Sequence, residues 1–160
     1  MKVSFYMLLY RAFHAQRKCL RPFMAELGLA PGQPKVLLYL AGHDGCMQKD
    51  VAEHCDIEPA TTSRVLDTLE KNGFIVRKTM EGNRRAGSIL ITEKGREVVE
   101  KWVGHCHEAE ASMLTGFTEE ETAQFGDFLS RAYKNMSGKE ARQQNVTIHS
   151  PAEKRVFCEP

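Results

Sequence analysis

A mainly α fold with one small β-hairpin is predicted for this 160-residue chain. Three features predict it. Apolar residues recur at helical spacing through most of the length. Two runs rich in Ile, Val, Leu and Thr, Phe74 to Thr79 and Ser88 to Thr92, flank a turn that carries glycine and arginine. Start and stop signals then separate the helices: Gly28, Asn72-Gly73, Gly116 and the box Thr118-Glu119-Glu120-Glu121.

Length and composition set the outer bounds. A chain of 160 residues with 42% apolar content can bury a real core as one ordinary domain. No apolar run approaches the roughly 20 residues that span a bilayer. The N-terminal stretch is broken by Arg11 and His14 and lacks a small-residue cleavage site, so a cytoplasmic protein without a membrane partner is expected. Five cysteines (Cys19, Cys46, Cys55, Cys106, Cys158) are scattered and form no CxxC pair, which argues against a disulfide framework or a zinc knuckle.

Net charge is only +1, but it is segregated. From Thr61 to Lys94, seven basic residues against four acidic ones leave +3; from His105 to Ser130, six acidic residues meet no Lys or Arg, giving −6. A basic middle beside an acidic end suits a protein whose middle meets phosphate.

Taken in order, Ser4 to about Glu26 reads as a helix, with Phe5, Leu8, Leu9, Ala12, Phe13, Leu20 and Phe23 along one stripe. Pro22 should kink this helix or divide it in two. So apolar a terminal helix needs a partner, in its own chain or in a second one. Pro31 suits the first turn of the next helix, expected to end near Leu40. Cys46-Met47 forms a minimal strand. Gln48 to Cys55 is a short helix, Asp56-Ile57-Glu58 a turn, and Pro59 to Asn72 a second helix.

That second helix separates its residues. Val65, Leu66 and Leu69 point inward with Thr62 at their edge, while Thr61, Ser63, Arg64, Thr68 and Lys71 share the outer side. Hydroxyls and an arginine are side chains that bond phosphates and base edges; a plain solvated face is the alternative. Met80 to Gly87 is the expected hairpin turn, with Arg84 and Arg85 at its tip. Such arginines suit a narrow minor groove as well as open solvent. Thr92 caps a long helix through Val98, Val99, Trp102, Val103, Cys106, Ala109 and Met113. The Thr118 box starts a last helix bearing Phe125, Phe128, Leu129, Ala132, Tyr133 and Met136, and the three glutamates there serve its N-terminus.

This order is that of a helix-turn-helix followed by a wing, between terminal helices. With Leu27-Gly28-Leu29, Pro31, Val36-Leu37, Gln48 to Ala52, Ser63 to Glu70, Gly73-Phe74-Ile75, Arg84-Arg85 and the run Leu90 to Gly95, the chain resembles the MarR family of bacterial transcriptional regulators. The match covers roughly Phe5 to Met136. It implies a winged helix-turn-helix core over 31–101, a linking helix over about 93–115 and dimerisation helices over about 4–27 and 118–136. A polar, flexible tail is expected over 137–160.

The resemblance implies a homodimeric repressor on a pseudo-palindromic operator, with recognition helices in successive major grooves about 34 Å apart. DNA contacts are expected from Gln48, Lys49, Thr61, Thr62, Ser63, Arg64, Thr68, Lys71, Arg77, Arg84 and Arg85. The dimer interface is expected from Phe5, Leu8, Leu9, Phe13, Phe125, Phe128, Leu129 and Tyr133. Two departures stand out. Met47 replaces the family's capping Thr, a loss of about 1 kcal/mol unless another group serves. Asn83 and Met80 stand where acidic residues brace the wing arginines.

A small aromatic or lipophilic effector is the expected signal, with redox or metal sensing as alternatives. The position of the family's peroxide-sensing cysteine is Tyr6; Cys19 lies beside the cations Arg17, Lys18 and Arg21, a setting that suits a thiolate, but an unreactive cysteine is the expectation. His43, Cys46, His54, Cys55, His105, Cys106 and His107 are numerous, yet no His-x3-His pair exists. No catalytic motif, metal site or cofactor is expected. The remaining rival is a winged-helix interaction module that has lost DNA.

Overall fold

In the computed structural model, residues 4–80 and 83–140 are described, with the backbone alone at residues 79, 80 and 83–86. The order is α1 (Phe5–Glu26), α2 (Gln33–Gly42), β1 (Cys46–Met47), α3 (Gln48–His54), α4 (Pro59–Lys71), β2 (Ile75–Met80), β3 (Asn83–Ile91), α5 (Glu93–Met113) and α6 (Glu119–Ser137). The fold is mainly helical with one small antiparallel sheet, in the strand order β1-β3-β2.

The chain divides into two units, one of them Lys35–Arg96. Within that unit Val36, Leu37, Leu40, Val51, Leu66, Leu69, Phe74, Ile75, Ile89 and Ile91 are buried. The sheet explains the pattern. Ile75 pairs with Ile91, and Ile89 lies between Cys46 and Arg77, so alternate residues reach one face. α3 packs on α4, and α4 on β2.

Two glycines are dictated by geometry. Gly73 takes φ +76 just after α4, where its N–H donates to the Glu70 carbonyl. Gly95 sits where a Cβ would lie 2.2 Å from the Phe74 carbonyl oxygen. The start of α5 is thereby pressed against the start of β2, and Thr92 ties the joint. Its hydroxyl donates to the Gly73 carbonyl at 2.7 Å and accepts from the Gly95 N–H at 3.1 Å.

The other unit holds, among the described residues, 4–34 and 97–140. Val98, Val99, Trp102 and Ala109 of α5 are buried in the structure. α1 and α6 have no buried residue. Phe5 is 70% and Phe128 58% exposed, and Leu8, Leu9, Phe13, Phe125, Leu129 and Tyr133 are exposed too. α6 opens on a complete capping box: Thr118 Oγ1 accepts from the Glu121 N–H, and Glu121 accepts from the Thr118 N–H.

Three expectations are corrected. Pro22 does not divide α1, which is continuous over 22 residues. α2 begins at Gln33, so Pro34 rather than Pro31 sits in its first turn; Gly32, at φ +88, keeps the preceding backbone out of the helix. The hairpin strands are longer than their composition suggests: β2 runs to Met80 and β3 starts at Asn83, which places Asn83 to Gly87 in a strand instead of the turn. Cross-strand pairing overrides the weak β-propensity of those residues. α6 closes at Ser137 with Gly138 left-handed at φ 70. Of the tail expected to be flexible, residues 141–160 lie outside the described residues.

Candidate nucleic-acid interface

The candidate surface is built on α3, α4 and the β2–β3 hairpin. α3 lacks a side-chain cap of its own, because Met47 offers no oxygen, but Asp50 supplies half a capping box. Its carboxylate accepts from the Met47 N–H at 2.9 Å. The turn after α3 holds Asp56 at φ 50, a left-handed position that aspartate tolerates. Lys35 finishes the helix by donating Nζ to the Cys55 carbonyl at 2.7 Å.

α4 begins with Pro59 at its first position, where the missing N–H costs nothing. Leu66 and Leu69 are fully buried, and so is Thr62. Thr62 was expected at the edge and among the DNA contacts; instead it belongs to the core, its hydroxyl donating to the Glu58 carbonyl at 3.1 Å. Spacing explains this, since Thr62 lies four residues before Leu66 and seven before Leu69, on one stripe. Thr61, Arg64, Thr68 and Lys71 are exposed together, and Ser63 is half-buried. The Thr68 hydroxyl donates to the Arg64 carbonyl at 3.0 Å, which leaves its oxygen free to accept. At the start of α3, Gln48 is half-buried and Lys49 exposed.

Arg77 is placed differently from the other expected contacts. Its Nη2 donates to Asp67 Oδ1 at 2.7 Å and reaches the Ser63 carbonyl at 3.5 Å. Its backbone N–H donates to Glu70 Oε1 at 3.1 Å. The Nε is buried and without a hydrogen bond, with Glu70 Oε2 at 3.6 Å. Arg77, one of the expected DNA contacts, thus ties β2 to α4 through Nη2 and its backbone N–H. The signal was in the strand alternation: Arg77 is two residues from buried Ile75 and turns to the same face. Arg84 and Arg85 belong to β3; their side chains lie outside the described residues.

Three cysteines are poor redox groups. Burial, reinforced by Asp50, pushes the Cys46 thiol up to about 11. Burial also pushes Cys55 up to about 11, against the opposing pull of Lys35. Cys106 in α5 is raised by burial and then by Glu110. All three are protonated at neutral pH, where the thiolate is the reactive form. Cys19 is exposed on α1. Tyr39, His43 and His54 form a stack, each imidazole 4.3 Å from the phenol ring. Among the described residues no three His, Cys, Asp or Glu side chains converge as metal ligands, and no helix is long and apolar enough to cross a membrane.

Comparison with known proteins places this geometry. The model of the MarR family matches residues 29–86. The HTH-type transcriptional regulator YybA of Bacillus subtilis is 30% identical over 111 residues, 69% of this chain and 74% of that one. A second regulator of that organism, YfiV, is 31% identical over 115 residues, 69% of this chain and 71% of its own. Among solved structures, a MarR family transcriptional regulator from Listeria monocytogenes complexed with 26mer DNA is 26% identical, with a TM-score of 0.73 over 98% of this chain and 100% of that one.

Proposed function

Because this chain belongs to the MarR family of transcriptional regulators, we propose that it is a homodimeric, sequence-specific DNA-binding repressor released by a small aromatic or lipophilic effector. One observation carries the reading. α4 buries Thr62, Leu66 and Leu69 completely while Thr61, Arg64, Thr68 and Lys71 stand exposed on its other side. Anchored by its apolar stripe, the helix offers hydroxyl, guanidinium and ammonium donors in a fixed array, suited to base edges and phosphates. The DNA complex of the Listeria relative supports the same use of the fold.

The pairing of two chains is supported by α1 and α6. Their apolar stripes are solvent-exposed in one chain, and a second copy related by a two-fold axis would bury them. Release then follows from a shift in the spacing of the two α4 helices, so that the effector-bound pair no longer matches successive major grooves. Burial holds Cys46, Cys55 and Cys106 as thiols, which argues against those three as redox sensors.

The test is a titration against the intergenic DNA beside the protein's own gene at two salt concentrations. Nanomolar binding that weakens steeply with salt is expected. Equal affinity for scrambled DNA would sink the operator reading. Arg64→Ala should relax base preference, and Arg85→Ala should weaken binding to all sequences alike.

A further inference from the structure

We infer that Arg77 is a positioning residue: it locks the hairpin to α4, and it affects DNA only through the parts it holds in place. The inference rests on the DNA-binding reading above and goes beyond it, giving Arg77 a role other than direct contact.

The geometry has three parts. Ser63, Asp67 and Glu70 lie four and three residues apart, along one side of α4. Arg77 touches all three, through Nη2 to the Ser63 carbonyl and Asp67 and through its backbone N–H to Glu70. Its side chain is 23% exposed, against 62% for Asp67 and 42% for Glu70. A single strand residue is therefore bonded to two turns of the helix. To reach a phosphate it would have to give up a charge-assisted bond of 2.7 Å.

The clamp also stands at the base of the projecting part of the hairpin. Beyond Arg77, β2 continues through Lys78 to Met80, with a register shift on the way, before β3 begins at Asn83. Three further strand residues carry Met80 about 10 Å past the clamp. A small tilt at Arg77 is magnified at that end of the strand, whereas a binding group must be held within roughly 0.5 Å to act. Here the bracing comes from the root of the wing, at a distance from Asn83 and Met80, where the family's acidic residues are missing.

There is an electrostatic consequence as well. Asp67 and Glu70 sit on the helix proposed to meet DNA, and both would repel phosphate. Arg77 offsets one of those two negative charges while leaving Arg64 and Lys71 exposed.

The experiment compares wild type, Arg77→Lys, Asp67→Asn and the double variant on the intergenic DNA. Salt dependence, hydroxyl-radical (minor-groove) and dimethyl-sulfate (major-groove) footprints and thermal stability are read for each. Arg77→Lys keeps the charge but not the fork, so a direct phosphate contact would survive it. Positioning predicts instead that Arg77→Lys loses the minor-groove protection made by the hairpin, keeps the major-groove protection made by α4, and binds at least tenfold more weakly. Asp67→Asn should do the same, and the double variant should be no worse than either single one.

Three results would overturn the inference. One is tighter binding by Asp67→Asn, as expected if a freed Arg77 gains a phosphate. Another is an unchanged footprint in Arg77→Lys, and the third is a fall in thermal stability with the salt slope and footprint of the bound fraction intact. Wild type that fails to bind at all would remove the DNA reading itself, a result separable from these three.

Discussion

The unit Lys35–Arg96 and the two terminal helices are made of similar residues but stand at different stages of completion. In the first, Leu37, Leu40, Leu66, Leu69, Ile75 and Ile89 are fully buried within a single chain. In α1 and α6, Phe5, Leu8, Phe128 and Leu129 remain exposed, and no residue of either helix is buried. Amphipathic patterning is equally clear in both. The difference shows that a stripe predicts burial without saying which chain supplies the other half. One region completes its core within a single chain, and the other leaves its apolar stripes exposed there.

The largest effects should break this contrast if it is wrong. Leu69→Ala removes a fully buried side chain and should cost about 2–5 kcal/mol in denaturant unfolding, at any protein concentration. Leu9→Ala truncates a side chain that is 45% exposed in one chain, so its effect should enter through assembly alone. Its melting temperature should approach that of wild type as both are diluted. A Leu9→Ala deficit that persisted on dilution would place α1 in a core of its own chain.

Next in size is Gly95→Ala. With the Phe74 carbonyl oxygen 2.2 Å from the new methyl position, α5 must shift away from β2. A loss of about 1–3 kcal/mol is expected, read by thermal unfolding. Substitution at Gly126, where nothing lies within 4 Å of a Cβ, should cost far less. Equal losses at the two positions would mean that the α5–β2 joint is looser than described.

Met47→Thr should stabilise. It would add the missing oxygen to the half box that Asp50 already makes, a gain of up to about 1 kcal/mol. No gain would show that the Asp50 carboxylate alone meets the needs of this N-terminus.

The mildest effect is on pH. The folded state holds Cys46 and Cys55 at about 11 against an ordinary 9.0, so it keeps their protons where the unfolded chain loses them. Their contribution to stability is complete below pH 9 and lost as pH rises toward 11. Iodoacetamide at pH 8 should leave both unmodified in the folded protein, as peptide mapping would show; rapid labelling there would contradict their burial.

Much of this was legible in the residues because each boundary carried its own signal. Gly28, Gly73, Thr92 and the Thr118 box end or start helices for reasons local to a few residues, and all four do so in the structure. The misplacements share a different cause. Thr62 and Arg77 are polar side chains whose fate is decided by the stripe they share, Leu66 and Leu69 for one and Ile75 for the other. Residue type suggested contact, while periodicity had already placed them against the protein. Strand β3 from Asn83 to Gly87 has neither cue, since Asn, Arg and Gly gain strand structure only from pairing.

A module whose core is complete in one chain is proposed to read DNA only as a symmetric pair. Sedimentation of the protein with its intergenic DNA, for wild type and Phe128→Glu, tests this most directly. Two chains per operator are predicted for wild type, and a monomer of intact fold with sharply weakened binding for Phe128→Glu. A single wild-type chain on the operator, or full affinity in a monomeric Phe128→Glu, would contradict it.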